Sequence, residues 1–398
     1  MSGLDRQALI GFAQALVRIE SVNDPDSGRS EAAAAQLVAQ QMRSFGWEPA
    51  LDEVEPGRPN VVAVVEGGLP GPTLLFTGHT DVVTAGAPEL WTVDPFGGEI
   101  RDGRLYGRGS ADMKGGVAGM LFATAEVTRR GPFPGRIVVA ALADEEGLML
   151  GAKRFCTTEI ASGIDAAIVC EPEGGEVCTT QKGALRLRLD VHGRMSHGAM
   201  PRKGINPAPA LAAFIEAVER YERRLQAEFG EHPTLGPTYL TPTVIRAGEE
   251  LQLNVVPGHA WLAVDVRTIP GVDHAVIVRE LRVEANRIAA ETGTRLELAV
   301  IDDRPSTETP EDAAVVRAVI AAHEERNGVR PTIGGVPGAT DGTILWRELG
   351  IPVVVYGPGD KWIAHQADEY VDVDELVAYA EVYTEAALRY LYDGQEAS

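Results

Sequence analysis

The chain has little cysteine and no excess of positive charge. Its 398 residues include three cysteines, Cys156, Cys170 and Cys178, an odd number with no Cys-x-x-Cys pair, which argues against a disulfide framework and against a thiolate zinc site. Cys170 falls in an apolar run and reads as an inert small filler. Lys plus Arg number 36 against 58 Asp plus Glu, a net charge of -22, so the basic patch that nucleic acid or an acidic membrane surface would demand is missing. No apolar stretch reaches bilayer-spanning length, and Met1 to Ile10 shows no basic segment leading into an apolar core. The expectation is a cytoplasmic protein. Internal repeats and low-complexity tracts are absent as well. Gly109 to Lys114 is a poor phosphate loop, because it lacks a Gly immediately before the Lys and a Ser or Thr after it.

What is present is an ordinary globular composition, 44% hydrophobic and 24% charged, on a chain longer than one hydrophobic core usually serves. Helix-period apolar residues place helices at about 5–20 and 31–45, and strands follow at 59–66 and 74–76. After a helix at 117–130, further strands lead to Glu171. This alternation predicts an α/β catalytic domain with a mixed, largely parallel sheet and helices on both faces. At Gly183 the pattern changes to strict alternation through His192. A helix at 207–229, strands at 241–247 and 251–267 (the latter broken at 256–258), a helix at 275–291 and a strand at 295–301 complete a β-α-β-β-α-β order. That order predicts an inserted ferredoxin-like α+β lid. The expected division is 1–182 and 304–398 for the catalytic domain, with 183–303 as the insertion. A helix at 311–327, a glycine-rich loop at 334–342, a strand at 351–356 and a helix at 374–392 close the chain.

Three apolar runs end in polar residues that carry chemistry. Thr73 to Phe76 leads to His79 and Asp81, Arg136 to Ala143 leads to Asp144-Glu145-Glu146, and Ala166 to Cys170 leads to Glu171. In open α/β sheets ligands bind at the carboxyl edge of the strands, so one imidazole and several carboxylates are delivered there together. A mixed His and carboxylate set is zinc-type chemistry. In His79-x-Asp81, the aspartate is placed to hold the imidazole in its metal-binding tautomer. Asp112 follows a glycine-rich turn, as a ligand on a closely approaching backbone or as a helix N-cap. Glu145-Glu146 are adjacent carboxylates that a nearby cation would keep ionised. Among the remaining histidines, His192 reads as structural, whereas His232, His259, His274 and His323 fall in helical or loop contexts that offer no partner. His197, in a loop between strand and helix, suits a residue aimed at a neighbouring site.

Taken in order, Thr77-Gly-His-Thr-Asp81, Gly107-Arg-Gly-Ser-Ala-Asp-Met-Lys-Gly-Gly116, Asp144-Glu-Glu146, Glu171-Pro172, Ser196-His197 with Pro201, Asn254, Asp265-Val-Arg267, Gly338-Ala-Thr-Asp341 and Ala364-His365 closely resemble one family. It is the acetylornithine deacetylase, succinyl-diaminopimelate desuccinylase and carboxypeptidase G family of dinuclear zinc hydrolases, and the resemblance spans about 6–391. It implies two Zn²⁺ per chain, for which Co²⁺ substitutes, held by His79, Asp112, Glu146, Glu171 and His365. Asp112 would bridge, and the division of the other ligands is left open. It further implies Glu145 as general base, Asp81 behind the ligands, and His197, Arg267, Asn254, Thr340 and Gly338 at the substrate. Lys182 reads as a hinge-surface lysine or as the partner of a second substrate carboxylate. The implied reaction is hydrolysis of the amide of an N-acyl amino acid, or of a short peptide if the chain is a dipeptidase or carboxypeptidase, in a homodimer that associates through the lid. A small-molecule binding protein that has lost the chemistry is the reading from another class.

Overall fold

The computed structural model describes residues 3–24 and 29–393. The chain divides into two compact units. The first comprises residues up to Thr180 together with Glu308–Val336 and the chain from Thr340 onward; the second comprises Gln181–Thr307 with Pro337–Ala339.

The first unit is built on a mixed sheet. Its strands run in the spatial order Ala50–Glu55, Arg58–Glu66, Phe133–Leu142, Gly68–His79, Ala166–Val169, Val353–Val355 and Val177–Gln181. The four strands from Phe133–Leu142 to Val353–Val355 are mutually parallel, and the flanking pairings are antiparallel. Side chains alternate across this sheet. Leu74, Phe76, Ile137 and Val139 join one core cluster with the helices Arg6–Val17, Gly115–Arg129 and Val373–Asp393, while Leu75 and Val138 are buried outside it. Burial pushes the Cys170 thiol upward, in keeping with a filler role.

Register positions the site. His79 lies opposite Leu142 and Thr77 opposite Val169, so the parallel strands end level with one another. The chain leaving each of them starts from one edge. Two glycines let backbone approach that edge. A Cβ at Gly116 would fall 2.0 Å from the Cys170 carbonyl oxygen, and Gly109, at φ +83°, would press one against Val82 at 2.5 Å.

The second unit is a four-stranded antiparallel sheet in the order Tyr239–Ala247, His259–Thr268, Gly183–His192, Arg295–Arg304. Leu185, Leu187, Leu189 and Val191 face the helices Ala208–Phe229 and His274–Thr292, whose Phe214, Val218, Ile277 and Leu281 close the core. This is the β-α-β-β-α-β order that the alternation predicts.

Several local expectations are corrected. The strand expected from Leu251 begins only at Val255–Val256 and resumes at His259; Leu251 and Leu253 are 99% and 94% exposed. These leucines alternate as strand residues would, but among the described residues nothing covers them. A helix at Asp341–Leu349 begins in the last two residues of the expected loop and fills the unassigned stretch after it, started by the Thr340 hydroxyl accepting from Gly342 N–H at 3.0 Å. Ala50–Glu55 is a strand whose polar, half-exposed residues gave no apolar signal. All four histidines expected to lack partners have them, His232 through the backbone N–H and hydroxyl of Thr234 at 3.3 and 3.1 Å. His259 lies on a strand and meets Asp190 at 2.9 Å, His274 contacts Thr268 and Asp303, and His323 contacts the Tyr356 hydroxyl at 2.8 Å.

Candidate metal centre

At the end of strand Gly68–His79 the imidazole of His79 is fully buried. Its Nδ1 lies 3.0 Å from the carbonyl oxygen of Asp81 and 3.5 Å from Asp81 Oδ1, which makes it the protonated nitrogen. Nε2 is thereby directed at the carboxylates of Asp112, at 3.0 Å, and Glu171, at 3.4 Å. Asp81 also receives the backbone N–H groups of Glu145 and Glu146, at 3.2 and 3.0 Å.

Asp112 leaves helical geometry just before the helix Gly115–Arg129 and does not cap it. Its two oxygens face different imidazoles: Oδ1 meets His79 Nε2, and Oδ2 lies 3.1 Å from His365 Nε2. His365 in turn lies 2.9 Å from Glu146 Oε1. Glu171 thus stands with His79 and Glu146 with His365, a pairing on which spacing alone was silent. Glu145 is buried between them within ligating range of His79 and Glu171, and its carboxylate has no hydrogen-bond partner among the described residues.

The electrostatics are those of a site built around positive charge. Burial pulls the His79 imidazolium down, but Glu171, Asp112 and Asp81 outweigh it and hold its pKa well above the usual value. Hydrogen bonds to Asp112 and Glu146 push His365 up to about 10. Burial, then the charge on Asp112, pushes Glu171 up to about 8, and burial with the neighbouring carboxylates drives Glu145 well above the carboxylate range. His79 gathers with Asp112 and Glu146 and again with Glu145 and Glu171, the ligand atoms of each group lying within 4.8 Å of one another, and His365 Nε2 adds a second imidazole at 3.1 Å from Asp112 and 2.9 Å from Glu146. This hard, mixed N/O donor set fits divalent cations, whose charge would reverse the raised carboxylate values. A further group, Glu173, Glu176 and Cys178, does not fit one, because the Lys361 ammonium already stands there at 3.0 and 2.8 Å from the two glutamates.

The other expected residues are distributed as follows. His197 pairs with Val255 in a short two-strand ladder, and Gly198 N–H donates to the Asn254 carbonyl at 2.6 Å, so His197 and Asn254 are stitched together within the inserted unit. Arg267 ends its strand against Asp265 at 2.8 Å, and a Cβ on Gly338 would lie 4.0 Å from its guanidinium. Lys182 donates to the Pro237 carbonyl at 2.6 Å over the Tyr239 ring. Thr340 caps the helix Asp341–Leu349. Two buried residues received no role from the sequence: Arg108, which lies within a quoted motif, and Glu369, which lies in none. Glu369 is the second of two acids in a strongly acidic chain, which reads as solvated surface.

Sheet and cluster together with the family and relatives that follow define the class, a metal-dependent hydrolase acting on amide bonds. The sequence profile of the Peptidase family M20/M25/M40 matches residues 75–389, and the chain belongs to that family. It is 32% identical over 391 residues to a succinyl-diaminopimelate desuccinylase of Rhodospirillum centenum, covering 94% of this chain and 95% of that one. It is also 32% identical over 392 residues to the enzyme of the same name from Methylorubrum extorquens, covering 94% and 96%. The fold is shared with a metallo-carboxypeptidase of Sulfolobus solfataricus (TM-score 0.79, 20% identity, 98% of this chain and 99% of that one). It is shared too with a dinuclear metal-binding peptidase of Bacillus subtilis (TM-score 0.72, 18% identity, 97% and 98%). Among the described residues no helix is long and apolar enough to cross a membrane.

Proposed function

We propose that the chain hydrolyses the amide bond of an N-acyl amino acid, as a desuccinylase or deacetylase does, with Glu145 as general base. The observation that carries this reading is the Glu145 carboxylate, buried and without a hydrogen-bond partner among the described residues, beside a cluster in which Asp112 splits its oxygens between two histidines. His79, Asp112 and Glu171 would hold one ion and His365, Asp112 and Glu146 the other, a donor set that would suit zinc, with cobalt as a substitute. When bound, such a pair supplies Lewis acidity and an acidified water at neutral pH.

The remaining work falls to side chains. Glu145 takes the proton of the attacking water and delivers it to the leaving nitrogen as the C–N bond breaks. His197 accepts the N–H of Ala199 on Nδ1 at 3.0 Å, so its proton resides on Nε2 and that nitrogen is a donor. Aimed at the oxygen on which charge develops, such a donor contributes about 2.7–4 kcal/mol. Arg267 offers a planar fork to the substrate carboxylate, with Asn254, Gly338 and Thr340 as further contacts. We further propose a homodimer that associates through the inserted unit, in a cytoplasmic setting suited to three free cysteines.

The test is an activity screen of zinc- or cobalt-loaded protein on N-succinyl-diaminopimelate, N-acetyl-ornithine, other N-acyl amino acids and dipeptides. Turnover of N-acyl amino acids is expected. Turnover of dipeptides alone would make the chain a dipeptidase, and saturable binding without turnover would make it a binding protein.

A further inference from the structure

His365 sits on a segment that is neither helix nor strand, between Val353–Val355 and Tyr370–Asp372, with its backbone at φ 67°. A ligand on such a segment is placed only as well as its neighbours hold it. Asp112 has the same problem, lying where the chain departs from helical geometry.

One buried ion pair grips both. Glu369 is fully buried; its Oε1 accepts the backbone N–H of Ala111 at 3.0 Å and of Asp112 at 3.1 Å, and its Oε2 accepts from Arg108 Nη1. Arg108, 2% exposed, uses its other Nη to donate to the backbone carbonyl of His365 at 3.1 Å, and its Nε donates to Thr84 O at 3.3 Å. The backbone closes the loop, with Gly107 N–H donating to the Glu369 carbonyl at 2.9 Å. Oε1 therefore fixes the peptide of one acidic residue of the cluster, and the guanidinium fixes the peptide of an imidazole.

Stability is a poor reason to bury such a pair, since desolvation offsets most of its attraction and apolar replacements are often neutral or better. The pair's hydrogen bonds are spent instead on the backbone of two residues that must meet side chain to side chain at 3.1 Å. We propose that Arg108 and Glu369 are positioning residues that hold Asp112 and His365 in register and thereby govern the affinity of the metal those two share. The inference rests on the reading of Asp112 and His365 as ligands. Arginine is suited to the task because its fork reaches a carboxylate and a carbonyl from one plane, which a lysine ammonium cannot reproduce.

The experiment compares wild type, His365→Ala, Glu369→Gln and Arg108→Lys by competition with a chromophoric chelator, using Zn²⁺ and Co²⁺ as probes, with the visible absorption of the cobalt protein as a second readout. Wild type should bind two equivalents and His365→Ala one. Failure of either removes the ligand reading itself. With that reading in place, Glu369→Gln and Arg108→Lys should each weaken the equivalent that His365 holds by roughly 10–100-fold, and the other, which shares only Asp112 with it, by less. They should also show an altered cobalt spectrum and recover activity as metal is raised. Two equivalents at wild-type affinity in both variants would overturn the proposal. So would equal weakening of both equivalents. Arg108→Lys keeps a cation opposite Glu369, so the test does not depend on Glu369→Gln folding. Should metal be lost from both variants only together with the folded circular dichroism spectrum, the pair is a fold element and the positioning role fails.

Discussion

The carboxylate of Asp81 receives the backbone N–H of Glu145 on the same oxygen that stands 3.5 Å from His79 Nδ1. One side chain therefore orients an imidazole at one strand end and the paired glutamates at the next. Asp81→Asn replaces one acceptor oxygen by a donor that faces another N–H or the His79 ring. The expected outcome is metal affinity reduced by roughly 10–100-fold in a folded protein. A chelator competition giving wild-type affinity would show that His79 and the Glu145–Glu146 turn hold their places without it.

Glu145→Gln keeps the shape of the side chain and removes its capacity to take a proton. Turnover should fall by roughly 10²–10⁴-fold while two equivalents of metal remain bound. Loss of an equivalent in metal analysis would make Glu145 a ligand, and near-wild-type turnover would move the base elsewhere.

The residues at the strand ends were legible because apolar runs in this sheet end level, and the residue after each run is the one exposed to chemistry. Ala166 to Cys170 announces Glu171 in this way. The insertion was legible for a related reason: Leu185, Leu187, Leu189 and Val191 alternate on a single buried face. What escaped was information that lies between distant segments. Nothing near Glu369 in sequence points to Arg108, and its fully buried carboxylate stands in an acidic stretch that suggests solvent. The helix Asp341–Leu349 was hidden by the glycines that precede it. The strand Ala50–Glu55 was hidden by its polar edge, which is a sheet's usual protection against foreign strands.

Beneath the site, Arg58 joins Glu31 at 2.8 Å and also meets Asp144, the residue before the glutamate pair, and all three are buried. Asp144 stands at φ 67° and receives the N–H groups of Leu148 and Leu150. Removing the cation strands two buried carboxylates, so Arg58→Met should destabilise by about 3–5 kcal/mol. Urea unfolding measures this. A loss under 1 kcal/mol would mean that the carboxylates find other compensation.

Arg267→Ala should penalise N-acyl amino acids far more than the corresponding amides, raising KM or lowering kcat/KM for the acid, because a guanidinium discriminates a carboxylate from a neutral group. The ratio of the two kcat/KM losses is the readout. Equal losses would assign Arg267 to its contact with Asp265 rather than to substrate.

His197 belongs to the inserted unit, whereas Glu145 and the two histidines of the cluster belong to the other. Its Nε2 is a donor, it is exposed, and Met195 and Met200 beside it are 61% and 56% exposed, apolar surface of the kind that a second subunit covers. Symmetric dimers are the commonest assembly, and in one of them each site can draw a residue from the partner. With what the family resemblance implies for this histidine, we expect active sites that combine Glu145 of one chain with His197 of the other. Glu145→Ala and His197→Ala homodimers should each be nearly inactive, for different reasons, and both should still bind metal. Co-expressed with different affinity tags and purified as a heterodimer, the two chains leave one of the two sites with both residues intact. Activity should then return in that species and in neither parent. If a verified heterodimer is as inactive as its parents while remaining folded and metal-loaded, His197 acts within its own chain, and the exposed methionines need another explanation.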